Sequence, residues 1–446
     1  MTGRCPSHLT PAAPLALLAA VTAIGFCALH IVVPVLPLLA AVFDRGPGQA
    51  QLVLTLYFVG IASGQLVYGP VSDRFGRRPV LIAGLALFLV GTAVCGLAGS
   101  LIALICGRVL EACGACAGIV LGRAIIRDVH DREAAARGIA LVMMAMTLAP
   151  AMCPAIGAYL AEWFGWRAIF AVLGVLGAAV LGLTVARLPE TRRCPVPLDW
   201  AGLATTHMAL LRSPAFLGFA LCSACSSASW FTFTASAPYL LSQLMGEPPS
   251  TYGVMILLPM AAYIVGNAVA ARLALPLGGV RLLTAGLVVS CAAGVLMAAW
   301  CLYGLTVWAL FVPIALSSVG NGMSQPPAVA AGLSVDPRVA GAASGLIGFL
   351  QMAVSALGTL LVAMLPHQTA TGMVAVLVAF VGLALVLGLA ALRFPPDPEH
   401  ASARTAASRP QAADRSTRAA SGAAEICTCA RGPLSVEKRH RQPSGT

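Results

Sequence analysis

The sequence predicts an all-α membrane protein of twelve transmembrane helices, arranged as two six-helix, pseudo-symmetric halves. Three observations carry this. The composition is too apolar for water, twelve runs are long enough to cross a bilayer, and arginines crowd alternate loops. Of 446 residues, 59% are hydrophobic and only 10% are charged, against about 25% charged in a soluble domain. Mean hydropathy is +0.90. Such a chain cannot coat itself with polar surface. A soluble enzyme, a nucleic-acid binder and a secreted disulfide scaffold are therefore excluded.

A helical span needs about 20 apolar residues. Candidate spans run over 14–42, 51–70, 79–99, 101–126, 138–161 and 166–188, then 215–241, 251–275, 281–303, 305–333, 340–365 and 370–393. Lipid admits only helices or closed barrels, and continuous runs of this length argue for helices. The first run is too long for a signal peptide and reads as an anchor.

Arginine placement sets the orientation. Loops after even-numbered spans carry Arg74, Arg77, Arg78, Arg132, Arg137, Arg187, Arg192, Arg193, Arg212, Arg272, Arg281 and Arg338, while the opposite loops carry only Arg45 and Arg167. The positive-inside rule then puts both termini in the cytoplasm. Trp163, Trp166 and Trp308 lie near span ends and read as interfacial belt residues.

The spans divide six and six. Residues 1–188 form an N-terminal bundle and 189–214 a polar, proline-bearing cytoplasmic connector. Residues 215–394 form a C-terminal bundle, and 395–446 a basic tail expected to be disordered. The run Gly76-Arg77-Arg78-Pro79-Val80-Leu81-Ile82-Ala83-Gly84 has a faint echo 202 residues later in Gly278-Gly279-Val280-Arg281-Leu282-Leu283-Thr284-Ala285-Gly286. A duplicated bundle of this kind suits a secondary transporter, which binds its substrate between the halves near mid-membrane.

Several chemistries are excluded. The only lysine is Lys438, so no Gly-rich turn is followed by Lys, and the chain carries no P-loop ATP site. No H-E-x-x-H or G-x-S-x-G stretch occurs. Most of the 14 cysteines lie in apolar runs and read as small packing residues. Cys113 and Cys116 have no second pair at zinc spacing, and Cys427 and Cys429 in the tail have no assignable role. No cofactor or metal is expected.

The loop after span two reads Gly69-Pro-Val-Ser-Asp73-Arg74-Phe-Gly76-Arg77-Arg78-Pro79. It resembles the G-x-x-x-D-R-x-G-R-R signature of the major facilitator superfamily. The resemblance implies a conformational latch made of Gly69, Asp73, Arg74, Gly76, Arg77, Arg78 and Asp128. In it, Asp73 would dock at the start of span eleven, near Ala340–Ser344, where a helix N-terminus favours a carboxylate. Asp128 would pair with one of the loop arginines.

Five further stretches narrow the likeness: Val33-Pro34-Val35-Leu36-Pro37, Gln65-Leu-Val-Tyr68-Gly69-Pro70, Gly122-Arg123-Ala124-Ile-Ile-Arg127-Asp128, Pro154-Ala-Ile-Gly157 and Gly341-Ala-Ala-Ser-Gly345. Together they resemble the bicyclomycin/chloramphenicol-resistance branch of drug:proton antiporters, over about residues 14–393. Pro150, Pro154 and Gly157 resemble part of the antiporter motif of span five. The implied activity is proton-coupled efflux of small amphipathic drugs across the inner membrane. The same-fold alternative is a facilitator or exporter of a small metabolite. Expected partners are a small-molecule substrate, protons and the bilayer, with the chain acting as a monomer.

Two positions depart from that branch. It usually carries an Asp in span one, where this chain has His30, and Arg-x-x-Gln in span four, where this chain has Arg108-Val-Leu-Glu111. Charges at mid-bilayer cost roughly 2.5–3.5 kcal/mol each on insertion scales. Three residues apart, Arg108 and Glu111 share a helix face and can offset one another. At 1.5 Å per residue, His30 and this pair lie at similar depths. His30, Arg108 and Glu111 are therefore the candidate proton-coupling group; the bland alternative is a structural ion pair beside a neutral histidine. Tyr57, Gln65, Asn267, Asn321 and Gln325 are polar groups in apolar helices, and each could line the substrate cavity or join helices.

Overall fold

The computed structural model describes residues 14–129, 132–191, 199–366 and 369–394. The tail 395–446, with Cys427, Cys429 and Lys438, lies outside the described residues, as do Arg192 and Arg193 and the side chains of Arg127, Arg132 and Arg137.

The first span is broken. Helix α1 (Leu15–Ile31) runs into a 3₁₀ turn at Val33–Val35 and resumes as α2 (Leu36–Val42). Pro34 and Pro37 explain the break, since neither has an N–H to offer the preceding turn. Then come α3 (Pro47–Phe75), α4 (Arg77–Gly96), α5 (Leu101–Val129), α6 (Arg132–Phe164) and α7 (Arg167–Arg187). The connector contains a helix the sequence reading did not anticipate, α8 (Trp200–Arg212). Asp199 caps it, its Oδ1 accepting from Gly202 N at 2.8 Å.

The second half repeats the plan. Helix α9 (Pro214–Tyr239) ends beyond Pro238 in a π-helical turn, Leu240–Leu244. Next are α10 (Pro249–Met255), α11 (Leu257–Leu277), α12 (Gly279–Tyr303), α13 (Val307–Ser334), a 3₁₀ turn at Pro337–Val339, α14 (Ala340–Met364) and α15 (Thr371–Ala391). Among the described residues, eleven helical segments are long and apolar enough to cross a membrane. Helix α6 stands in the fifth place of the predicted twelve. The protein is a multi-pass, all-helical membrane protein.

The halves meet along two seams: α3 packs against α14, and α6 against α10. At the end of the bundle away from the Gly69–Pro79 motif, four contacts tie them together. Gln51 Nε2 donates to Ala235 O at 3.2 Å, Thr55 and Thr359 hydroxyls meet at 2.9 Å, and Ser250 N donates to the Glu162 carboxylate at 2.8 Å. The fourth is a backbone approach: a Cβ on Gly253 would come within 2.7 Å of Ala155 Cα. Trp166 is not a belt residue. It is 5% exposed and packs edge-on against Phe43 and Phe170, while Trp163 and Trp308 are exposed.

Candidate functional site

The Gly69–Pro79 motif is not a loop. Gly69–Phe75 completes α3, and α4 begins at Arg77. Gly76 alone makes the turn, at φ +97°, a conformation glycine adopts without a Cβ penalty. Arg77 is 7% exposed and engages three partners: Asp73 at 2.7 Å, Asp128 at 3.0 Å and Ser72 Oγ. Arg78 Nη2 donates to Val185 O at 2.8 Å, and Arg74 is exposed.

Sequence reasoning missed Glu190. Its two carboxylate oxygens accept from Arg77 N at 3.0 Å and Arg78 N at 3.1 Å. These are orphan amides at the start of α4, where negative charge is stabilising. The only sequence signal was an acidic residue at the end of span six.

A cavity of about 360 Å³ opens beside this network. Gln65, Gly69, Asp73 and Arg77 line one wall, Arg123 of α5 another, and Gly341, Ser344 and Gly345 of α14 a third. Asp73 thus faces the start of α14 across a gap. Helix α8 contributes His207, whose burial pushes its pKa below the ordinary histidine range. Gln65 belongs to this cavity rather than to the central one.

The central cavity measures about 250 Å³ and lies between the halves. His30 and Pro150 line it from the first half, and Trp230, Phe231, Asn321 and Gln325 from the second. Among the described residues, no carboxylate lines it. Pro150 cannot bond to the carbonyl of Met146, one turn earlier on the same wall. His30 Nδ1 donates to Phe26 O at 2.9 Å. A carbonyl only accepts, so Nε2 is the nitrogen left to take up a proton. Pro154 is buried near the Gly253–Ala155 contact, and Gly157 packs on the Ile31 carbonyl.

Arg108 and Glu111 lie elsewhere. Both are 0% exposed and form a 2.5 Å ion pair. Thr92 Oγ1 donates to Glu111 at 2.9 Å, and Arg108 Nη1 donates to Ala28 O at 3.0 Å. The guanidinium sits 4.0 Å over the Tyr57 ring, whose hydroxyl donates to Gly25 O at 3.1 Å. The pair is therefore enclosed by α1, α3, α4 and α5. His30 faces the cavity from α1, and Tyr57 is a wall of the ion-pair chamber rather than of the cavity. Asn267 does not line the cavity either; its Nδ2 donates to Tyr263 O at 3.1 Å. Of the five polar candidates, the structure brings Asn321 and Gln325 together with His30.

Comparison with known proteins completes the picture. The Major Facilitator Superfamily family model matches residues 18–359, with a second match over 219–434. The chain is 32% identical over 375 residues to Multidrug resistance protein D of Escherichia coli (strain K12), covering 84% of this chain and 94% of that protein. It is 30% identical over 365 residues to the Chloramphenicol resistance protein of Pseudomonas aeruginosa, covering 80% and 86%. Among solved structures, the peptide transporter POT in complex with sulfate superposes with a TM-score of 0.71 at 16% identity, covering 85% of this chain and 93% of that one. That last likeness speaks to the fold alone.

Proposed function

The chain belongs to the Major Facilitator Superfamily, and from that premise we propose that it exports small amphipathic drugs, of the phenicol or bicyclomycin kind, in exchange for protons. It works as a monomer in the inner membrane with both termini in the cytoplasm. The observation that carries this reading is the make-up of the central cavity. Aromatic faces (Trp230, Phe231) provide apolar contact, Asn321 and Gln325 provide hydrogen bonds, and His30 supplies an imidazole to the wall. Among the described residues no carboxylate stands there to hold a cation, which favours neutral cargo. The names of the relatives speak for drugs over metabolites.

His30 Nε2 is the proton acceptor that competes with cargo. Arg108 and Glu111 act behind it, with Arg108 reaching α1 through the Ala28 carbonyl two residues before His30. Changes in the protonation of Glu111 would release or recapture Arg108 and so shift the α1–α5 contact. The Asp73–Arg77–Asp128 network serves as the cytoplasmic latch, with Asp73 closing onto the start of α14 when the cytoplasmic side shuts.

The test is proton movement in proteoliposomes on adding phenicols, bicyclomycin and cationic dyes, one at a time. A phenicol- or bicyclomycin-triggered proton flux, lost in His30→Asn, is the expected result. Folded protein that moves drug with no proton flux would sink the coupling, and folded protein that moves none of these drugs would sink the drug reading.

A further inference from the structure

Gln325 is held in a way that fixes which hydrogen bond it can offer to the central cavity. Its Nε2 donates to Ser223 O at 3.2 Å and to Ser227 Oγ at 3.0 Å. Its Oε1 accepts from Ser223 Oγ at 2.7 Å. Ser223 Oγ in turn accepts from Gln351 Nε2 of α14 at 2.6 Å. A primary amide has two N–H donors and two acceptor sites on oxygen. Both donors are spent on α9, and one acceptor site is spent on Ser223.

The orientation is not arbitrary. The main-chain carbonyl of Ser223 can only accept, so the nitrogen must face it. The direction of the chain from Gln351 through Ser223 agrees, since the Gln351 N–H occupies the Ser223 oxygen and sends its hydroxyl hydrogen toward Gln325. Ser223 is 1% exposed, so water does not compete for its bonds to Gln325 and Gln351.

We propose that Gln325 is a specificity-determining residue that reads the cargo through a single acceptor site. Cargo carrying a hydroxyl or amide N–H at that point is bound, and an analogue with no donor there is discriminated against. This rests on the reading of the cavity as the drug site. Ser223 and Ser227 hold the amide in place.

Thiamphenicol and florfenicol test it, because fluorine replaces the primary hydroxyl in the second compound. Binding to the purified full-length protein is followed by quenching of Trp230, which lines the cavity. The wild type is expected to prefer thiamphenicol by on the order of three- to tenfold, the worth of one net hydrogen bond. Gln325→Met is expected to bring that ratio to about one. Ser223→Ala leaves both N–H anchors and frees the second acceptor site, so the ratio is expected to hold or rise. A merely structural role would weaken both compounds equally in Ser223→Ala. Equal binding of the two by the wild type, or a ratio that falls in Ser223→Ala or survives in Gln325→Met, overturns the assignment. Binding of neither compound overturns it together with the reading of the cavity as a phenicol site.

Discussion

Glu190 holds Arg77 by its backbone, at 3.0 Å from the amide nitrogen, while Asp73 and Asp128 hold the same residue by its guanidinium. The start of the connector and the turn between α3 and α4 are thus fastened to one residue. Fixing both the backbone and the side chain leaves Arg77 little freedom, as the proposed latch would require of its pivot.

Glu190→Ala removes the cap of α4 and should cost about 1–2 kcal/mol, the sum of a lost cap and a lost favourable charge at a helix N-terminus. Glu190→Gln keeps an acceptor but not the charge and should cost roughly half. Thermal unfolding in detergent, compared across the three proteins, measures this directly.

Arg77→Lys should abolish most transport while the protein still folds. Lysine is a point donor and cannot span Asp73, Asp128 and Ser72 at once. Drug efflux at matched membrane expression is expected to fall by about tenfold or more, as it is for Asp73→Asn. Intact transport in either variant would remove the network from the mechanism.

The Arg108–Glu111 pair separates a structural role from a functional one. Breaking a fully buried pair from one side strands a charge, at roughly 3–5 kcal/mol, whereas replacing both partners with apolar residues is often close to neutral. Arg108→Met alone should therefore reduce expression sharply, and the double variant with Glu111→Met should recover it. Drug-driven proton flux in the recovered double variant decides the matter: normal flux means the pair is architectural.

His207 gives a pH dependence with a definite sign. Its pKa is lowered in the fold, so the unfolded chain binds the proton more readily. Its stabilising contribution is complete above the ordinary histidine value of 6.5 and is lost as pH falls from there through the lower folded value. Asp73, Arg77 and Arg123 face it across the same cavity. Melting temperature should drop more between pH 7.5 and 5.5 in the wild type than in His207→Asn; parallel curves would exclude the histidine.

Gly253→Leu should prevent the halves from closing at the end away from the motif, because any Cβ there meets Ala155. A cysteine placed near Glu162 should become more reactive to a membrane-impermeant thiol reagent, and transport should fall.

Much of this was legible in the chain. Apolar run lengths fixed the spans, because lipid leaves the backbone almost no choice but helix. Asp73, Arg77 and Asp128 could be found because the Gly69–Pro79 motif resembles a family signature, and the resemblance implies a network of these residues. Glu190 and Ser223 could not, since their roles depend on contacts 113 and 102 residues away in sequence. Depth along a helix was legible for His30 and Arg108; rotation about the helix axis was not. That is why Tyr57 and Asn267 left the cavity while Asn321 and Gln325 stayed. Helix α8 was hidden by the prolines and arginines that precede it.

The one-turn spacing of Arg108 and Glu111 matters before the bundle exists. Segments of a polytopic protein are delivered to lipid sequentially, and α5 must enter with both charges after α1, α3 and α4 but before it has packed against them. Because the ion pair closes within a single helix, the segment presents the translocon with an internal dipole rather than two separate ions. The helices made before it, α1, α3 and α4, need only shelter that dipole. Moving either partner by two residues would leave the finished protein's composition unchanged, yet make α5 a poor substrate for membrane insertion.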